Sequence, residues 1–212
     1  MKRFALALAI LVLAAAAVGN SAATAQGPPG QFNPPKRYYL ALGDSITFGY
    51  QTHKVHPGVP ASAFNTGYVN VFAAKLSSIR PGIEAVNYGC PAESTSTFIG
   101  GGCLWTATGR PLHVDYQGSQ LNAAVSFLRA HRGQVSPITL HLYGKDVSDF
   151  VASCGGDFSC IQRNAPAAIS AFAARLQLIL QSLRREAPER AFGNGRCCGI
   201  VSGYGETKAV PE

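Results

Sequence analysis

The chain has 212 residues, with 18 Lys and Arg against 11 Asp and Glu, 14 % charged and 47 % hydrophobic residues, 23 Gly, 13 Pro and six Cys. So much apolar residue with so little charge is the reverse of a disordered composition and requires a packed core, while Gly and Pro without a three-residue period exclude collagen and a coiled coil. The length suits one α/β domain, and Lys and Arg are scattered rather than clustered, which gives nucleic-acid binding no support.

Lys2 and Arg3 precede the uncharged, mostly apolar run Phe4 to Val18, and Ala23-Thr24-Ala25 follows. That order predicts a secretory signal peptide over residues 1–25, because the run falls short of the roughly 20 residues that cross a bilayer. Cleavage after Ala25 would leave 187 residues (212 − 25) and a formal charge of +5 (16 − 11). A soluble, secreted, extracellular protein with no membrane span in its mature form is expected. Residues 26–37, rich in Pro and Gly, read as a linker.

Residues 38–188 carry the periodic patterns of a folded domain. Tyr38 to Leu42 reads as a short buried strand running into Gly43-Asp44-Ser45. A helical stripe of Val69, Phe72, Ala73 and Leu76 ends at Pro81-Gly82, and Ile83 to Tyr88 reads as the next strand. Ser119 to His131 is a second helix, with Leu121, Ala124, Val125 and Leu128 on one side, and Ile138 to Tyr143 a third strand. A third helix is placed from Pro166, carries Ile169, Phe172, Leu176, Ile179, Leu180 and Leu183, and stops before Pro188. Alternating strands and helices predict a three-layer α/β/α, doubly wound parallel sheet, flavodoxin-like in plan.

The tail, residues 189–212, departs from this pattern. Another buried strand is due after Pro188, but only Gly199-Ile200-Val201 appears before more glycine. The fold is therefore expected to lack its last elements, as if a frameshift or early stop had altered a longer ancestor, and to leave apolar surface on the third helix exposed.

Six cysteines allow 15 pairings. Cys90 with Cys103 and Cys154 with Cys160 are close neighbours in loop-like sequence, and export would let such disulfides persist. Cys197 and Cys198 are adjacent, with no evident third partner. No C-x-x-C spacing occurs, so no metal site is expected, and no cofactor motif is seen.

A serine hydroxyl is a weak nucleophile. An enzyme that uses one must expose it, set a base beside it and surround the developing oxyanion with N–H donors. Ser45, just past a strand end, stands where a doubly wound sheet opens its ligand crevice. Asp and Ser also favour plain turns and helix caps, so this tripeptide gains weight only with its companions. These are Asn87-Tyr88-Gly89-Cys90-Pro91-Ala92-Glu93-Ser94 and Gly144-Lys145-Asp146, each following a predicted strand.

With Gly43-Asp44-Ser45-Ile46-Thr47, the set resembles the secreted GDSL/SGNH hydrolases over Tyr38 to about Pro188. The resemblance implies Ser45 as nucleophile of an acyl-enzyme mechanism and as one backbone oxyanion donor, with the Gly89 N–H as another. Gly43, Asp44, Asn87, Gly144 and Asp146 are motif support, and Lys145 stands where the family has an oxyanion-binding asparagine. A small-molecule ester, a lipid or an acetylated glycan is the implied substrate, without a cofactor. The family's Asp-x-x-His, which supplies the general base, occurs nowhere in the sequence, and all five histidines precede residue 142.

Among those histidines His113, in a loop with Asp115, is the best substitute. His141 reads as a packed, hydrogen-bonded strand residue, His131 as a helix C-terminal cation, and the His53–His56 pair as solvated loop. Trp105 and the Phe98–Gly102 loop are candidate walls of an acyl pocket, with a buried aromatic beside a stapled turn as the equal alternative. The rival expectation is a non-catalytic secreted binding protein that keeps the crevice.

Overall fold

A computed structural model describes residues 34–187. The expected signal peptide, most of the expected linker, the tail and Cys197 and Cys198 lie outside the described residues. Tyr38–Gly43 (β1) contains no charged side chain and all six residues are buried, the condition of a strand covered on both faces. In chain order there follow α1 (Ser45–Phe48), α2 (Tyr68–Ile79), β2 (Glu84–Asn87), α3 (Thr95–Gly100), α4 (Leu104–Ala107), α5 (Gln120–Ala130), β3 (Val135–His141), α6 (Gly144–Ser153) and α7 (Phe158–Glu186). The sheet has the order β2-β1-β3, and both pairings are parallel.

Alternation along β1 divides the core. Tyr39 and Ala41 pack against Val69 and Leu76 of α2. Tyr38, Leu40 and Leu42 point the other way, into a larger cluster with Phe98 of α3, Leu121, Ala124 and Leu128 of α5, and Ile179 and Leu183 of α7. The expected α/β/α layering of a parallel sheet is thus present. A third cluster of Phe48, Phe64, Trp105 and Leu112 gathers around Cys90 and Cys103. The bridges Cys90–Cys103 and Cys154–Cys160 both form, with Cα separations of 6.3 and 5.6 Å.

Three elements differ from the sequence reading. The last helix starts at Phe158 rather than at Pro166, because Asp157 caps it by accepting from the N–H groups of Ser159 (3.0 Å) and Cys160 (3.2 Å). Pro166 then lies inside the helix and is tolerated there at the loss of one backbone hydrogen bond. The third strand runs Val135–His141, with Pro137 where the register slips between Tyr38↔Val135 and Leu40↔Ile138; a proline inside a sheet is accommodated at such an irregularity. Gly144–Ser153, read from sequence only as a motif after a strand, is a helix.

Among the described residues the sheet has three strands, and no strand pairs with the outer edge of β3. Phe158, Ile169 and Val147 are each more than half exposed on α6 and α7. No described helix is long and apolar enough to cross a membrane.

Candidate active site

The serine turn is built from contacts that leave little choice of residue. Gly43 has φ +134°, and a Cβ there would lie 1.9 Å from the His141 carbonyl oxygen, so only glycine fits. The Asp44 N–H donates to that same carbonyl (3.0 Å), while its carboxylate caps α1 by accepting from the Ile46 N–H (3.0 Å). Gln120 of α5 accepts from the Gly43 N–H (2.6 Å) and donates to the Gly43 carbonyl (3.0 Å). Ser45 is thereby fixed as the first residue of α1, half-buried, in the wall of a cleft of about 550 Å³.

The second segment docks on this turn. Asn87 donates to the Thr47 carbonyl (2.9 Å) and accepts from the Gly89 N–H (2.9 Å). Gly89 approaches α1 so closely that a Cβ would sit 2.6 Å from the Phe48 nitrogen. Its N–H is thus turned to Asn87, and the residues of this segment that line the cleft are Pro91, Ala92 and Glu93. Ala92 holds φ +66°, the left-handed region, and its N–H meets no backbone acceptor among the described residues. An alanine gives no sequence signal for that conformation, which only Gly and Asn advertise.

The third segment brings Gly144 and Lys145, with Ser148, to the same cleft. The Lys145 ammonium is paired with Asp149 one turn along α6. Asp146 faces away from the cleft's lining and joins three elements: it accepts from the Thr95 N–H (2.8 Å) and hydroxyl (2.5 Å) at the start of α3, and from Arg175 of α7 (3.4 Å). Arg175 also donates to the Thr95 hydroxyl (2.7 Å).

None of the five histidines lines the cleft. His113 binds the Phe48 carbonyl through Nε2 (2.8 Å) and packs on the Phe48 ring; burial pushes its pKa down despite that bond. His141 Nδ1 is 2.9 Å from Asp44 Oδ1, and this hydrogen bond raises its pKa against a smaller effect of desolvation. That pair was not foreseen, although the alternation of β3 had placed His141 in a packed, hydrogen-bonded position. His131 packs between Tyr38 and Phe127, and His56 binds the neighbouring Pro57 carbonyl.

The remaining walls are Tyr50, Val55, Leu104, Trp105, Thr108 and Arg110. The Arg110 guanidinium lies 5.0 Å from the centre of the Trp105 ring. Trp105 both lines the cleft and is buried beside the Cys90–Cys103 bridge, so the two expectations for it meet, whereas Phe98 is fully buried in the main core. Atoms of Cys90, Glu93 and Cys103 lie within 4.8 Å of one another, but the two sulfurs are bonded together and offer no thiolate to a metal.

No protein-family profile and no curated protein matches this chain. Among solved structures it is similar to AlinE4, an SGNH-hydrolase family esterase, at 17 % identity and a TM-score of 0.37, over 73 % of this chain and 62 % of that one. A mutant of the same esterase gives 17 % identity and 0.37 over 74 % of this chain and 62 % of that one. The chain spans 62 % of the length of these structures.

Proposed function

We propose that this cleft is that of a secreted ester hydrolase of the GDSL/SGNH type, with Ser45 as the attacking group, and that this chain carries the nucleophile without its general base. The observation that supports the reading is the meeting of three segments, distant in sequence, on one cleft. Ser45 comes from the first, Ala92 and Glu93 from the second, Gly144 and Lys145 from the third. Such convergence at the C-terminal ends of parallel strands is where α/β sheets bind ligands.

A carbonyl seated beside Ser45 would find backbone N–H groups at Ser45 and Ala92 for its developing negative charge. The Gly89 N–H, given this role by the sequence resemblance, is hydrogen-bonded to Asn87, so Ala92 takes its place in the proposal. Lys145 is the third donor at the family's asparagine position, in competition with its bond to Asp149. Its ammonium is costly to desolvate and less directional than an amide.

Proton removal is the missing step. His113 and His141 are committed to Phe48 and Asp44, so among the described residues the proposal gives the Ser45 proton no imidazole acceptor. Serine hydrolases stripped of triad members keep about 10³–10⁴ over water from the oxyanion hole and binding, and slow cleavage of activated aryl esters on that scale is expected here. The absence of histidine from the cleft favours a second reading, a non-catalytic binding protein for ester-bearing lipids or glycans. Prolonged treatment with a fluorophosphonate separates the two. A single adduct absent from Ser45→Ala supports the hydrolase site, and no adduct on Ser45 leaves the binding protein.

A further inference from the structure

Glu93 is the most deeply buried carboxyl of the cleft, 1 % exposed, and it has no part in the chemistry above. Its Oε2 accepts from Gln120 Nε2 (3.0 Å) and from the Tyr116 hydroxyl (3.5 Å). Its Oε1 is buried without any hydrogen-bond partner. Gln120 has one orientation open to it, because the Gly43 N–H requires an acceptor and the Gly43 carbonyl a donor. One amide hydrogen then remains, and Glu93 receives it.

We propose that Glu93 is a positioning residue for Ser45: its buried carboxyl braces Gln120, and Gln120 holds Gly43 by both its N–H and its carbonyl, which fixes the serine turn at the cleft. The inference rests on the reading of Ser45 as the attacking group. The brace works as a neutral acid. A carboxylate there would leave one oxygen charged, buried and without a donor, at a desolvation cost that no cation offsets.

The groups that face Glu93 divide between its two forms. Tyr116, in the loop before α5, has its own ionisation pushed up by burial and stays a donor. The Asp44 carboxylate repels a second negative charge, while Thr97 of α3, Gln120 and Tyr116 favour the carboxylate without outweighing burial, and the Cys90–Cys103 bridge beside it does not titrate. Desolvation is the main cause that raises the Glu93 pKa. Because the folded value lies above the unfolded one, the brace is fully effective below the ordinary glutamate range and weakens as pH rises through the folded value.

The test uses the full chain with Glu93→Gln, a neutral isostere, and Glu93→Ala. Hydrogen exchange of the Gly43–Ser45 amides is read alongside melting temperature against pH. Loss of the brace in Glu93→Ala should speed exchange of the turn by at least about tenfold, and Glu93→Gln should stay within about threefold of wild type. Glu93→Gln should also lessen the decline in melting temperature that wild type shows with rising pH, leaving the part that belongs to His141. Carbon-13 titration of the wild-type Glu93 carboxyl needs no variant and should show it protonated well above the ordinary glutamate range.

An ordinary titration of that carboxyl, a parallel pH decline in wild type and Glu93→Gln, or unchanged exchange in Glu93→Ala would each overturn the proposal. Slow fluorophosphonate labelling of Ser45 separates it from the functional reading. Should wild type fail to label while exchange and pH profile come out as expected, the serine reading falls and the brace stands.

Discussion

The two sides of the β1–β3 pair are finished to different degrees. Around the serine turn, Gly43, Asp44, Asn87 and Gln120 each make specific hydrogen bonds to neighbouring segments, and Phe48 is fully buried among aromatic rings. On the α6–α7 side an apolar groove of about 510 Å³ runs between the helices, walled by Val147, Phe150, Ile169 and Phe172. Nothing described covers the β3 edge beyond it. The serine turn is over-determined by its contacts, and the far side is tied through Asp146, Thr95 and Arg175 and through Ile179 and Leu183 of α7 in the main core. On the proposed reading, holding the serine and activating it are separable tasks, and among the described residues only the first is built.

That contrast should show most strongly in substitutions. Gly43→Ala would set a Cβ against the His141 carbonyl in a backbone region closed to alanine. A loss of about 4 kcal/mol or more is expected in denaturant melts. Phe48→Ala should cost about 3–5 kcal/mol by emptying the aromatic cluster, while Ile169→Ala, at an exposed site on α7, should change stability by no more than about 0.5 kcal/mol. Equal losses at Phe48 and Ile169 would mean that the exposed side is covered in solution and would remove the contrast. Asp146→Ala lies between the two, since it strips acceptors from Thr95 and Arg175; a loss of about 1–3 kcal/mol is expected.

A smaller effect concerns the Asp44–His141 pair. The folded pKa of His141 is raised, so the contribution of the bond is fully present below the ordinary histidine value of about 6.5 and is lost as pH rises through the folded value. His141→Gln should flatten the melting temperature in that window. An undiminished slope would assign the pH dependence to other groups, Glu93 first.

Much of this was legible in the sequence. β1 announces itself because every residue of Tyr38–Gly43 is apolar or glycine and must be covered on both faces. The local disulfides were readable because short loops leave each cysteine one near neighbour. The start of α7 was misplaced because proline looks like a first-turn residue, while the stronger signal, Asp157 capping two N–H groups, is four characters of ordinary loop. Of the residues that line the cleft, Ser45, Lys145 and Trp105 were singled out from motif and neighbourhood. Ala92 and Glu93 were not, because a left-handed alanine and an orphaned carboxyl oxygen are properties of tertiary packing. The Asp44–His141 bond joins residues 97 positions apart, a separation that no local pattern reports.

Substitution at the proposed oxyanion position makes the next comparison. Lys145→Asn would supply the family's amide and free Asp149, yet it should leave ester turnover within about threefold of wild type, since a better oxyanion hole cannot accept the serine proton. A rise of a hundredfold or so, the usual worth of one such donor, would show that a base is already in place.

The most direct test is turnover of a nitrophenyl ester by the full chain and by Ser45→Ala, followed across pH with Ser45 acylation monitored by intact mass. A nucleophile without a base should give slow hydrolysis that Ser45→Ala lowers by less than about threefold, with no accumulating acyl-enzyme. Rapid acylation of Ser45, loss of most turnover in Ser45→Ala and a rate that rises with deprotonation of a single group near the histidine range would contradict the account and identify a working base.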